Sequence, residues 1–253
     1  SRLWPRSRLQ PSCALPPIFL LFRETLSVLD QPIKNLESDG MSQARPTATR
    51  KTRIQAQNEE LILAAALDVF SSLGYRGSTV DQIAAKCGLS KPNLLYYFRR
   101  KEDIYFAVLE KILAEWGDTL KSLDPQGDPI EEIGSYIRQK LRLSRDNPRA
   151  SRLFANEILQ GGAAIGDFLK GPVRVLLHEK AAVIAEWVRE GRINPIDPYH
   201  LIIAIWATTQ HYADFDVQLR AVLDERERSL EAAERTLIAL FCDGLRPRLP
   251  GSQ

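Results

Sequence analysis

The chain of 253 residues is long enough for one large or two small domains around a real hydrophobic core. Its 44% hydrophobic and 26% charged residues give the profile of an ordinary globular protein, with no apolar run near the roughly 20 residues that span a bilayer. Three scattered cysteines (Cys13, Cys87, Cys242) make a poor disulfide framework and fit a reducing cytosol. No CxxC or HExxH spacing occurs, so neither a metal site nor a cofactor is expected.

The net charge is only +2, but it is unevenly spread. Residues 41–101 carry ten Lys/Arg against four Asp/Glu, whereas residues 102–253 carry nineteen against twenty-four. A basic module joined to a mildly acidic body suggests an end that meets a polyanion.

In chain order, residues 1–40 stand apart, with Trp4, the prolines Pro5, Pro11, Pro16 and Pro17, and a short "IFLLF" run. The run is too short for a signal peptide, and the single methionine, Met41, is the expected start of the folded protein. Residues 1–40 are therefore expected to be a non-native or disordered extension. A basic arm follows over 41–54, with Arg45, Arg50, Lys51 and Arg53. From Gln55 helical periodicity takes over: Leu61, Ala65, Val69 and Leu73, with Ile62, Ala66 and Phe70, make one broad apolar face. "LGY" at Leu73–Tyr75 supplies a glycine stop.

Thr79 opens a short helix, "VDQIAAKC", which Gly88 closes, and Ser90 caps the next, "KPNLLYYF", with Pro92 in its first turn. Three further starts share one device: Asp128–Pro129, Asn147–Pro148 and Asp197–Pro198 each pair an Asx cap with a proline suited to the first helical position. The last helix is expected from about Asp224 to Cys242, stopping at Gly244 ahead of Pro247. No strand pattern appears, so the fold class is all-α with about nine helices.

The segment "TVDQIAAKCGLSKPNLLYYFRRK" reads as a helix-turn-helix. Ile83 and Ala84 pack the first helix, Gly88 turns the chain, and small residues permit a close crossing. Lys91, Asn93 and Tyr97 point outward from the second helix. Asn side chains suit base edges, while Ser90, Lys91 and a helix N-terminus suit phosphates. Packing of Tyr96 or Tyr97 against the first helix is the competing reading.

The longer stretch Ile62–Leu109 resembles the DNA-binding domain of the TetR family of repressors. Gly74–Tyr75, Gly77, Thr79, Ile83–Ala84, Gly88, Ser90, Leu94, Tyr96, Phe98 and Lys101 stand where that pattern expects them. The resemblance implies contacts to operator phosphates and bases from Thr79, Ser90, Lys91, Asn93, Tyr96, Tyr97 and Lys101. Arg53 would join them from the arm. Pro92 and Leu95 depart from the usual Gly and Tyr. The domains implied are a DNA-binding domain over 55–101 and a helical ligand-binding and dimerisation domain over 102–248.

Three stretches (from Tyr136, from Pro195 and from Leu94) further resemble the branch of this family that governs pyrimidine catabolism and answers to uracil and thymine. On a helical wheel Trp206 and Gln210 share a stripe with Ile202 and Ala213, away from Thr208, His211 and Phe215. An indole face can stack on a flat ring, and a primary amide can pair with the alternating C=O and N–H groups of a pyrimidine. Core packing is the plainer use of Trp206. Trp116, Lys140 and Ser144 are the expected partners from other helices, although a lysine is more often at the surface.

The acidic last helix carries Leu230, Leu237 and Phe241 on one side, and the resemblance implies a homodimer through it. A dimer would match a palindromic operator on double-stranded DNA. A drug-sensing repressor of an efflux operon is the alternative within the family. Catalysis is not expected, since no Ser/His/Asp, Cys/His or paired-carboxylate arrangement is present.

Overall fold

The computed structural model describes residues 47–247, so the expected extension over 1–40 and the first part of the basic arm, 41–46, lie outside it. Within the described residues every regular element is helical. Helix α1, Thr47–Gly77, begins ahead of the expected Gln55, because no Gly or Pro interrupts residues 47–73. Arg53 therefore stands on the helix rather than before it. Gly74, at φ 69° and ψ 169°, breaks the helical geometry as the "LGY" stop requires.

Helix α2, Val80–Cys87, starts with a reciprocal cap: the Gln82 amide donates to the Thr79 hydroxyl at 3.2 Å, and the Thr79 amide donates to the Gln82 side chain at 2.8 Å. Gly88 ends it in the left-handed region at φ 71°. The Ser90 hydroxyl accepts from the Asn93 amide to open α3, Lys91–Tyr97, with Pro92 in the first turn. Helix α4 covers Lys101–Lys121, α5 covers Pro129–Asp146 and α6 covers Pro148–Leu159. Then come α7, Gly166–Phe168, a π-helical turn over Leu169–Val173, and α8, Arg174–Arg189. Pro172, which lacks an N–H to donate, sits inside that widened turn. Helices α9, Pro198–Asp214, α10, Asp216–Val222, and α11, Leu230–Ile238, complete the order, the last running into a second π turn over Ala239–Asp243.

Two expectations need correction. Asp128 and Asp197 cap their helices through the carboxylate, but Asn147 makes no side-chain cap. It ends α5 as well as opening α6, and its φ −126°, ψ 52° geometry serves the bond from its own N–H to the Leu143 carbonyl at 2.9 Å. The last helix begins at Leu230 rather than Asp224. Residues 224–228 close turns of their own, and the Ser229 hydroxyl caps the helix through the Ala232 amide.

Two apolar cores lie end to end. The first joins Ile62, Phe70, Ile83 and Leu94 of α1–α3 to Ile104, Leu109 and Ile112 of α4, and takes in Ala150 and Leu153 of α6. The second joins Leu120 at the far end of α4 to Ile133 and Ile137 of α5, Ile184 and Trp187 of α8, Ile205 of α9 and Leu237 of α11. Helix α4 thus contributes to both cores.

Candidate DNA-facing surface and effector site

The second helix of the helix-turn-helix is seated by Leu94 and Phe98, both buried, which turns the rest of it outward. Tyr96 is 74% exposed, and Lys91 and Asn93 are exposed beside it. Lys91 lies 2.8 Å from the carboxylate of Asp81 in the first turn of α2. Tyr97 faces inward more than its neighbour: its hydroxyl accepts a 2.7 Å bond from Asn58 of α1, and its ring meets Tyr96 edge-on at 5.3 Å. Thr79, Ser90 and Arg53 are exposed.

Lys101 holds a different position from the rest. Its ammonium donates to the backbone carbonyls of Tyr75 at 2.7 Å and Ser78 at 2.9 Å, and lies 4.3 Å from the centre of the Tyr75 ring. The Tyr75 carbonyl, just past the break at Gly74, also accepts from the Ser78 hydroxyl at 2.8 Å, and the lysine ties α4 to this turn. Sequence reasoning missed Asn58 and Asp81; neither type nor spacing marks them out.

In the body, four of the expected effector residues, Lys140, Ser144, Trp206 and Gln210, lie on α5 and α9, which pack together along a seam, while Trp116 stands on α4 against Lys140. Tyr136, Lys140 and Ser144 follow one another at one-turn intervals on α5, as do Trp206, Gln210 and Asp214 on α9. The Trp206 indole N–H donates to the Tyr136 hydroxyl, which fixes the indole at one end of the seam. At the other end the field of Lys140 reaches Asp214. Gln210, half-buried between them, makes no hydrogen bond among the described residues. On the opposite side of α9, His211 and Phe215 are exposed and stack on each other at 4.8 Å, as the wheel expected.

Lys140 is only 3% exposed. Its ammonium lies 4.4 Å from the centre of the Trp116 ring, which in turn packs edge-on against Phe154 at 4.9 Å. Among the described residues it forms no hydrogen bond and no ion pair. Desolvation drags its pKa down to about 8, opposed by the charge of Asp214. Ser144, buried one turn on, likewise has a hydroxyl without a hydrogen-bond partner among the described residues. Burial pushes the Asp214 carboxyl up, while a hydrogen bond from the Ser151 hydroxyl and the Lys140 charge pull it down. The sequence reading missed Tyr136, Ser151 and Asp214, though Tyr136 and Asp214 continue the two stripes by one turn.

The seam thus holds the side chains of two buried residues, Lys140 and Ser144, and the half-buried amide of Gln210, none of them hydrogen-bonded among the described residues. An all-helical body carrying a helix-turn-helix with an exposed aromatic and polar second helix is the architecture of a DNA-binding regulator. Residues 62–108 match the family profile described as bacterial regulatory proteins, tetR family, and residues 109–248 match the YcdC-like protein C-terminal region. The chain belongs to the TetR family of bacterial transcriptional regulators. It is 45% identical over 209 residues to the HTH-type transcriptional regulator RutR of Escherichia coli K12, covering 80% of this chain and 97% of that one. Solved structures share the fold at low identity. A transcriptional regulator from Streptomyces coelicolor aligns with a TM-score of 0.62 at 22% identity, covering 76% of this chain and 99% of its own. FadR from Bacillus subtilis, in complex with stearoyl-CoA, aligns at 0.57 and 21%, covering 73% and 98%. The protein is accordingly a DNA-binding transcription regulator and not an enzyme. None of the described helices is long and apolar enough to cross a membrane.

Proposed function

We propose that this protein is a homodimeric repressor of pyrimidine catabolism genes that leaves its palindromic operator when uracil or thymine binds in the body. The observation that carries the effector half is the buried Lys140, which has no hydrogen-bonding partner among the described residues. An ammonium in that position gains most from a neutral carbonyl brought to it, which a pyrimidine-2,4-dione supplies. Gln210 can then pair with an adjacent C=O and N–H edge, Trp116 and Trp206 bound the flat faces, and Ser144 adds a hydroxyl. A buried cation at the centre repels the hydrophobic cations that an efflux sensor would take.

On the DNA side, Thr79, Ser90, Lys91, Asn93, Tyr96 and Tyr97 form the face toward the operator, with Arg53 flanking it. Lys101 supports that face from behind and has one N–H left for a phosphate. Dimerisation draws on the outer faces of α9, α11 and the π turn that follows it. Leu237 is buried in the chain's own core and Leu230 and Phe241 pack half-buried against it, whereas Leu240 is 65% and Ile203 46% exposed.

Coupling between the sites requires only that the effector prefer the conformation that fits DNA less well, typically by about 1–3 kcal/mol. The test is a gel-shift titration of the full chain on a duplex that it selects from a random library, with uracil, thymine and a hydrophobic cation added in turn. Release by the pyrimidines alone supports the reading; release by the cation alone, or by none, overturns it.

A further inference from the structure

The first turn of α6 touches both halves of the molecule through neighbouring residues. Arg149 pairs with the carboxylate of Asp68 on α1, and the same carboxylate takes Lys86 of α2 at 3.0 Å. Two residues further on, Ser151, 1% exposed, donates to Asp214 at the effector seam. Between them Ala150 is buried in the first core. One turn thus has its outer residue fastened to α1, its middle residue packed in the first core, and its inner residue bonded to the Asp214 carboxylate, whose charge acts on Lys140.

We propose that Asp68 is a positioning residue for the effector response. It holds α2 through Lys86 to α6 through Arg149, so that a displacement of α6 at the Ser151–Asp214 bond is passed to the helix-turn-helix. The inference rests on the effector seam described above. Its physical content is a rigid turn with polar ties on both sides. A ligand that engages Lys140 changes the field at Asp214, the Ser151 bond responds, and the turn carries Arg149 with it. Asp68 itself touches neither DNA nor effector. Its carboxyl is held below the usual range by the bond from Lys86 and then by Arg149, against desolvation. Both ties are therefore charge-assisted, and both cations are close to half-exposed, so their loss leaves no charge stranded in a core.

The test uses the full chain as Arg149→Met, Lys86→Met and the conservative Arg149→Lys. Uracil affinity is measured by calorimetry, and operator affinity by anisotropy with and without saturating uracil. Exposed ion pairs of this kind are worth a few-fold. Arg149→Met and Lys86→Met are expected to bind uracil within about twofold of the parent while the ratio of operator affinities falls about threefold; Arg149→Lys restores it. An unchanged ratio in both Met variants overturns the inference. A parent that binds no pyrimidine refutes the proposed effector instead. The inference is then decided by amide hydrogen exchange in the two variants: faster exchange in α2 with α9 unchanged supports it, and unaltered α2 exchange refutes it.

Discussion

Replacing Lys140 by Met should make the protein more stable and deaf to its effector at once. The ammonium is 3% exposed and its pKa falls from 10.5 to about 8. At roughly 1.4 kcal/mol per unit, holding it charged in the folded protein costs about 3 kcal/mol near pH 7. The Trp116 face returns about 1–2 kcal/mol of this as a cation–π contact, which the variant forfeits. The balance is a gain of about 1–2 kcal/mol, and for a chain of this size roughly 2–4 °C accompanies each kcal/mol. Thermal unfolding of the unliganded Met variant should therefore occur roughly 2–8 °C higher at pH 7. The sign with pH follows from the same shift. Between about pH 8 and 10.5 the unfolded chain holds the proton that the folded chain has released, so this contribution grows as pH rises through that window. The parent should gain on the variant over pH 8–10 and the difference should shrink. Burial of the Tyr105 and Tyr136 hydroxyls, which pushes both upward, affects parent and variant alike and cancels. A variant that melts lower than its parent at pH 7 would refute the reasoning, because it would mean that Lys140 is held by a partner within the fold rather than waiting for one.

Gln210→Leu should weaken uracil binding by roughly tenfold or more in calorimetry, with operator affinity unchanged, since the amide makes no bond within the described fold. Asn58→Ala removes the 2.7 Å bond to the Tyr97 hydroxyl and should cost about threefold to fivefold in operator affinity without altering its dependence on salt. Arg53→Gln should do the reverse, lowering the slope of log affinity against log salt by about one. Leu240→Glu should shift the chain toward monomer in sedimentation while leaving its helical circular dichroism intact, because that side chain is 65% exposed in the single chain.

Much of the helix-turn-helix was readable because its signals are local. A Thr79–Gln82 cap, a left-handed Gly88 and the Ser90 cap act over three or four residues, and each appears where the residue types placed it. The two stripes on α5 and α9 were readable in part for the same reason, since one-turn spacing is a property of the helix alone. Where the sequence misled, a second demand on the same residue was responsible. Asn147 had to end one helix while opening the next, and the Asp224 carbonyl is taken up by a turn to Glu227 and Arg228, with Ser229 capping the helix that follows.

By itself the sequence determined an all-helical chain, its family, its recognition turn and the faces of individual helices, because capping, glycine geometry and periodicity are settled between neighbours. Which faces meet was decided only by the tertiary structure. Packing α5 against α9 and α4 is what buried Lys140 under Trp116 without a hydrogen-bonding partner among the described residues, spent Trp206 on Tyr136 and set Lys101 behind the turn ahead of α2. Burial and partnership are properties of the assembled core, summed over residues far apart in the chain, and no local pattern encodes them.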